Sequence, residues 1–224
     1  MKFKSIILLG SLCLAMVACE ADGVNFLSSP HYASTVISFL PGEGSGYGKS
    51  YLPAIVLGAP VGGSKMAGSV DVLSLGVGGE IELAFDGVEI VDGPGPDFIV
   101  FENPFWPGSN STQVWAELGE VAVYTNDGEW HTYECDVDDI GSSWPGCAGW
   151  TPTLSYDPDM MDILDPIKTG GDVFDLADLG VERAARIRIK DMSSDGYPPT
   201  AGFDLDAVGL IHWVYSDHDV DEFH

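Results

Sequence analysis

Basic residues are scarce in this chain: 9 Lys and Arg stand against 35 Asp and Glu, a formal net charge of −26 at pH 7. Such a surface repels phosphate backbones and anionic headgroups, which excludes nucleic acid and makes anionic lipid a poor partner. Cysteine is scarce too, at 4 in 224 residues, and the four form neither a CxxC redox pair nor a zinc cluster. The 5 histidines never fall into an HExxH pattern. No GxSxG elbow occurs, and the glycine-rich GEGSGYGK (42–49) does not follow the P-loop spacing. DVDDIGSSW (136–144) begins like a calcium loop but lacks the EF-hand spacing and its closing Glu. Internal repeats are absent, and no segment after the N-terminal region is long and apolar enough for a transmembrane helix.

What is present begins with an export signal. Met1-Lys2-Phe3-Lys4 is a positive n-region and Ser5 to Val17 an apolar h-region. LAMVAC (14–19) has the form of a bacterial lipoprotein signal: small residues, with Met16 at the third position before the cysteine, lead to Cys19, which would carry lipid as the new N-terminus. An ordinary signal peptide cleaved nearby is the alternative. Residues 1–18 are therefore read as signal peptide, 19–31 as a lipidated tether, 32–215 as one domain and 216–224 as a polar tail. Taking Lys2 and Lys4 off the 9 basic residues leaves 7 against 35 acidic ones, so the mature chain carries −28. Export leaves Cys135 and Cys147 as an even pair in an oxidising compartment, which predicts a disulfide.

With 45% hydrophobic residues, 28 Gly and 14 Pro, the chain is no disordered acidic tail. Short strand patterns recur between turn signals. STVISFL (34–40) is one. VDVLSLG (70–76) and GEIELAFDG (79–87) read as a hairpin through the intervening Val-Gly-Gly. In the latter, Ile81, Leu83 and Phe85 face one way and Glu80, Glu82 and Ala84 the other. DFIVFEN (97–103) lacks alternation and reads as a strand covered on both faces. GEVAVYTNDGEWHTYEC (119–135) is a hairpin with an Asn-Asp-Gly turn, AARIRIKD (184–191) alternates again, and GFDLDAVGLIHWVY (202–215) closes the fold. DVFDLADLG (172–180) predicts one helical turn capped by Gly180. The pattern predicts an all-β, two-sheet antiparallel sandwich of jelly-roll or galactose-binding type.

Six phrases, YASTVISFLPGEGSGYG, LGAP, DVLSLGVGGEIELAFDG, GPGPDFIVFEN, GGDVFDLADLG and GFDLDAVG, follow one another between about residues 32 and 212. In wording and order they resemble a family of bacterial cell-surface proteins, many of which carry a C-terminal PEP-CTERM tail for exosortase sorting. The resemblance implies a surface β-sandwich and supplies no reaction or catalytic residue. This sequence ends in HWVYSDHDVDEFH instead of such a tail, and a lipid on Cys19 would replace that anchor. The terminal histidines read as a frayed polar end rather than a transition-metal site.

Two constellations carry chemistry. Asp204 and Asp206, two apart, would share one face of a strand, and Glu102 and Asn103 offer oxygens where a buried strand ends. Like charges so placed call for a cation, and calcium takes six to eight oxygens from such groups. Glu102, Asn103, Asp204 and Asp206 are the predicted Ca²⁺ ligands, with Asp172 and Asp175 in a second tier. Asp97, at the far end of its strand, is set aside. The alternative is that these acids cap turns. Secondly, CDVDDIGSSWPGCAGWTP (135–152) presents Trp144 and Trp150 on a disulfide-braced loop, with Trp106 on another; aromatic faces on rigid loops hold sugars or flat ligands. The expectation is a lipid-anchored protein of a Gram-negative outer membrane or cell surface that captures a glycan or small molecule without catalysis. An exported polysaccharide hydrolase and a structural surface-layer component are the alternatives. The oligomeric state is not legible.

Overall fold

The computed structural model describes residues 31–110, 113–157, 159 and 164–216. Cys19, the tether before His31, and His218 and His224 lie outside them. Among the described residues fifteen short strands run in chain order: β1 (His31–Tyr32), β2 (Thr35–Leu40), β3 (Leu73–Ser74), β4 (Glu80–Ala84), β5 (Val88–Val91), β6 (Phe98–Phe101), β7 (Gly119–Tyr124), β8 (Trp130–Thr132), β9 (Cys147–Ala148), β10 (Asp172–Phe174), β11 (Arg183–Ala184), β12 (Arg186–Asp191), β13 (Asp204–Leu205), β14 (Ala207–Leu210) and β15 (Trp213–Tyr215). Helix is limited, among the described residues, to 3-10 turns and the four-residue α1 (Pro166–Thr169). No helix among them is long and apolar enough to cross a membrane.

The fold is an all-β antiparallel sandwich. One sheet has the order β1-β14-β6-β10; the other has β2-β4-β12-β7-β8, with β9 also on β7. Smaller β11-β5-β15 and β13-β3 sheets complete it. The alternating strands supply the interior of the larger sheet: Ile81 and Leu83 of β4 and Ile187 and Ile189 of β12 are fully buried. They meet Phe98, Val100, Val208 and Leu210 of the opposite sheet in one core. Each such side chain contributes about 1.5–3 kcal/mol by leaving water.

The outward face of the larger sheet gathers several of the few cations. Arg186 reaches Glu82 at 2.8 Å and Arg188 reaches Glu80 at 4.0 Å. Their guanidinium groups also lie over the rings of Tyr124 and Trp130, at 5.0 and 4.4 Å. Strand β6 is buried on both faces, as its unbroken apolar run predicts: Phe98 and Val100 enter the main core, while Ile99 and Phe101 pack with Leu164 and Ala207 in a second cluster. The Asn-Asp-Gly hairpin forms as β7–β8. A 3-10 turn at Leu176–Leu179 ends at Gly180, whose φ of 66° suits a residue without Cβ.

One local expectation fails. β3 and β4 do not form a hairpin across Val-Gly-Gly: β3 pairs with β13, and β4 lies between β2 and β12. Leu73, Ser74 and Leu75 are all fully buried. The Leu75 N–H donates to the Phe203 carbonyl and its own carbonyl accepts from Gly42, so this strand's edges are occupied before β4 begins.

Candidate cation cluster and tryptophan cleft

β6 and β14 pair antiparallel with Ala207 opposite Phe101. The residues leaving β6 therefore meet those arriving at β14, and Glu102 comes to lie beside the β13 segment. Glu102 Oε1 accepts the backbone N–H of Asp204 at 3.2 Å. Asp204 in turn accepts a short hydrogen bond from the Ser74 hydroxyl and a long one, 3.5 Å, from Asn103 Nδ2. A third carboxylate joins them. The chain leaves Glu102, loops out, pairs Phe105 with Trp115 and returns with Glu117 just ahead of β7. Glu102, Glu117 and Asp204 each offer a ligand oxygen, all within 4.8 Å of one another.

Burial makes this cluster costly without a counter-charge. Glu102 is 1% exposed and Asp204 8%, and among the described residues no lysine or arginine is paired with any of the three. Burial first, then the charges of Asp204 and Glu117, hold the Glu102 carboxyl well above its ordinary range. Glu117 is pushed up to about 8 by burial and by Asp204 and Asp191. Asp204 is pushed up to about 6 by burial, against the opposing bonds from Ser74 and Asn103. Glu102 Oε2 is buried with no hydrogen-bond partner among the described residues. A buried carboxylate oxygen left unpaired among like charges fits a site for a hard, oxygen-seeking cation.

The four first-tier residues do not all converge. Glu102, Asn103 and Asp204 do. Asn103 turns its amide nitrogen to Asp204, because the same Nδ2 donates to the Ser69 carbonyl at 2.9 Å; it braces the cluster. Asp206 points elsewhere, correcting the shared-face expectation. Its two oxygens accept the N–H groups of Val61 and Gly62, both at 3.0 Å. The strand breaks at Asp206: β13 pairs with β3, while β14 pairs with β6 and β1. Period-two alternation does not carry across such a break.

The second-tier acids are caps. Asp172 Oδ2 accepts from the N–H groups of Gly149, Trp150 and Thr151, at 2.6, 3.0 and 3.4 Å. Asp175 caps the Leu176–Leu179 turn through the Ala177 N–H. Asp175 also belongs to a second acidic group with Asp92 and Asp97. There both Asp97 oxygens are engaged, by the Gly93 N–H and His212 Nδ1 on one and the Leu176 N–H on the other.

No protein-family model and no curated protein matches this chain.

Cys135 and Cys147 are joined by a disulfide. Within and just after the braced loop stand Trp144 and Trp150, the latter anchored by Nε1 on the Cys147 carbonyl at 3.1 Å and by its N–H on Asp172. Trp106 stands on the Glu102–Glu117 loop, its N–H on the Lys65 carbonyl at 2.8 Å and its ring under the Lys65 ammonium. The three half-buried tryptophans, from two separate loops, line one cleft of about 540 Å³ together with Gln113, Val114 and Thr151.

Glu117 was not singled out from the sequence. It stands 15 positions after Glu102, in a segment with no local ligand pattern, and only the Phe105–Trp115 pairing brings it back.

Proposed function

We propose that this protein is a non-catalytic binding domain, held to a Gram-negative outer membrane or cell surface by lipid on Cys19 and stabilised by Ca²⁺, whose tryptophan cleft captures a glycan or a similarly flat small molecule. The resemblance to exosortase-sorted surface proteins, in a lipoprotein variant, belongs to the same proposal. The observation that carries the reading is the convergence of Trp106, Trp144 and Trp150 on one cleft. Its volume is that of an ordinary small-ligand site, and indole faces offer a flat apolar platform with polar edges, which suits a sugar ring. The described lining supplies an amide from Gln113 and hydroxyls from Ser143 and Thr151, and the adjoining hollow that shares Trp144 and Trp150 adds Asp178 and Asp172, the latter engaged by the Gly149 and Trp150 N–H groups. With Asp172 so engaged, that composition favours capture over polysaccharide hydrolysis, which needs a pair of carboxyl groups flanking the bond to be cut.

Calcium is the cation the acid-lined cluster favours, because its donors are carboxylate oxygens without nitrogen or sulfur ligands. The test is glycan-array binding of the purified protein, with and without millimolar calcium, beside Trp106→Ala and Trp150→Ala. Retention of particular glycans that both substitutions abolish is expected. Equal retention by all three proteins, or none by any, would sink the cleft as a capture site.

A further inference from the structure

We propose that Glu117 completes a calcium site with Glu102 and Asp204, and that the bound cation controls the tryptophan cleft by closing the base of one of its walls. This inference deepens the reading above and rests on it for the identity of the cleft and of the metal.

The first support is the cluster itself: three carboxylates with ligand atoms within 4.8 Å, and a fully buried Glu102 whose Oε2 is without a partner among the described residues. The second is where those carboxylates lie in the chain. Glu102 and Glu117 are the two ends of the loop that carries Trp106, Gln113 and Val114 into the cleft. Between the ends, the loop is closed by reciprocal backbone bonds, Trp115 N–H to the Phe105 carbonyl at 2.8 Å and Phe105 N–H to the Trp115 carbonyl at 3.4 Å. A cation shared by Glu102 and Glu117 ties the ends together below that bridge, as a cross-link would, and removes open-loop conformations from the ensemble.

The opposite wall reaches the same place. Trp150, Thr151 and Pro152 line the cleft, and the next residue, Thr153, donates its hydroxyl to the Glu102 carbonyl at 2.5 Å. Glu102 is thus a cation ligand by its side chain and an anchor for the second wall by its main chain. Without the cation, three crowded carboxyl groups sit at the junction of both walls. With it, two of the three negative charges are balanced and both walls are fixed. Linkage makes the effect reciprocal: an occupied cleft raises calcium affinity by the same factor that calcium raises cleft affinity.

The experiment needs no cleft ligand. Calcium chloride, with magnesium chloride as the control, is titrated calorimetrically into the purified full chain. Amide hydrogen exchange at Phe105 and Trp115 is then followed in calcium and in EDTA, with the β7–β8 hairpin as internal reference. Calcium binding and at least tenfold slower exchange at Phe105 and Trp115, without a matching change in the hairpin, are expected. Glu117→Gln should weaken calcium binding at least tenfold and remove that protection at the same calcium concentration. If it fails to fold, Glu117→Asp, which keeps the charge and shortens the reach, takes its place with the same expected weakening. Absence of calcium binding to the unaltered protein overturns this inference and the calcium reading together. Calcium binding with unchanged exchange at Phe105 and Trp115, or with undiminished affinity after substitution of Glu117, overturns the inference alone. Failure of the glycan arrays leaves these measurements intact and strikes only the cleft's assignment.

Discussion

Glu102 holds Asp204 in place through its side chain: Oε1 accepts the Asp204 N–H at 3.2 Å, while Oε2 of the same carboxylate is buried without a partner among the described residues. One oxygen is spent on the fold and the other is left facing an acidic neighbourhood. Asp172 divides its oxygens in the same way, so what sets Glu102 apart is the company of Glu117 and Asp204, and Asp204 and Asp206 become separable by experiment.

Asp204→Asn should abolish the calcium response of thermal stability, and Asp206→Asn should keep it. A cation that binds only the native state at a hundredfold excess over Kd contributes about 2.7 kcal/mol, or roughly 5–10 °C in Tm for a domain of this size. Asp206→Asn should instead lower Tm in calcium and EDTA alike, because its oxygens serve Val61 and Gly62. Differential scanning calorimetry of both variants checks this; loss of the calcium increment in Asp206→Asn and its survival in Asp204→Asn would reverse the assignment.

Asp172 should make the fold less stable as pH rises from about 4 to about 6. Its carboxyl is pushed up to about 6, chiefly by burial, above the ordinary value near 4 that the unfolded chain retains. The folded state therefore binds the proton more tightly, so the stabilisation is fully present below the unfolded value and is lost as pH climbs through the folded one. That difference corresponds to roughly 3 kcal/mol. Asp172→Asn, which retains an acceptor for the Gly149 and Trp150 N–H groups, should flatten that part of the profile. Urea titrations at several pH values in EDTA, for both proteins, measure it.

Replacing Cys135 and Cys147 by serine should cost about 3 kcal/mol by the chain-entropy estimate for so short a loop. The larger consequence falls on the cleft, since Trp144 sits inside the braced loop and Trp150 hangs from the Cys147 carbonyl. Acrylamide should quench tryptophan fluorescence more strongly in the serine variant at temperatures where circular dichroism still reports a folded sheet. Unchanged quenching would mean the bridge serves stability alone.

Cys19→Ala should release the protein from membranes or block its maturation. Membrane fractionation and the mass of the mature N-terminus decide it: an acyl mass on Cys19 is expected in the unaltered protein, and unchanged fractionation of the variant would remove the anchor from the proposal.

Local chemistry was enough for much of the architecture. Period-two alternation placed Ile81, Leu83, Ile187 and Ile189 inside; an unbroken apolar run marked β6 as covered on both faces; Asn-Asp-Gly made the β7–β8 turn; and elimination paired Cys135 with Cys147. These signals are legible because each depends on neighbours within a few residues or on a count of groups. What the tertiary structure alone decided depends on which strand pairs with which. Leu75 is bonded to Phe203 and Gly42, so Val-Gly-Gly joins two strands that are not neighbours. Asp204 and Asp206 part because the chain changes partners between them, from β3 to β6. Glu117 joins Glu102, and Trp106 meets Trp144 and Trp150, only because a loop closes on itself through Phe105 and Trp115 and comes to rest beside a second loop braced elsewhere. A sequence carries each of those residues, but proximity between distant segments is set by packing and pairing summed over the whole sandwich, and no local period encodes it.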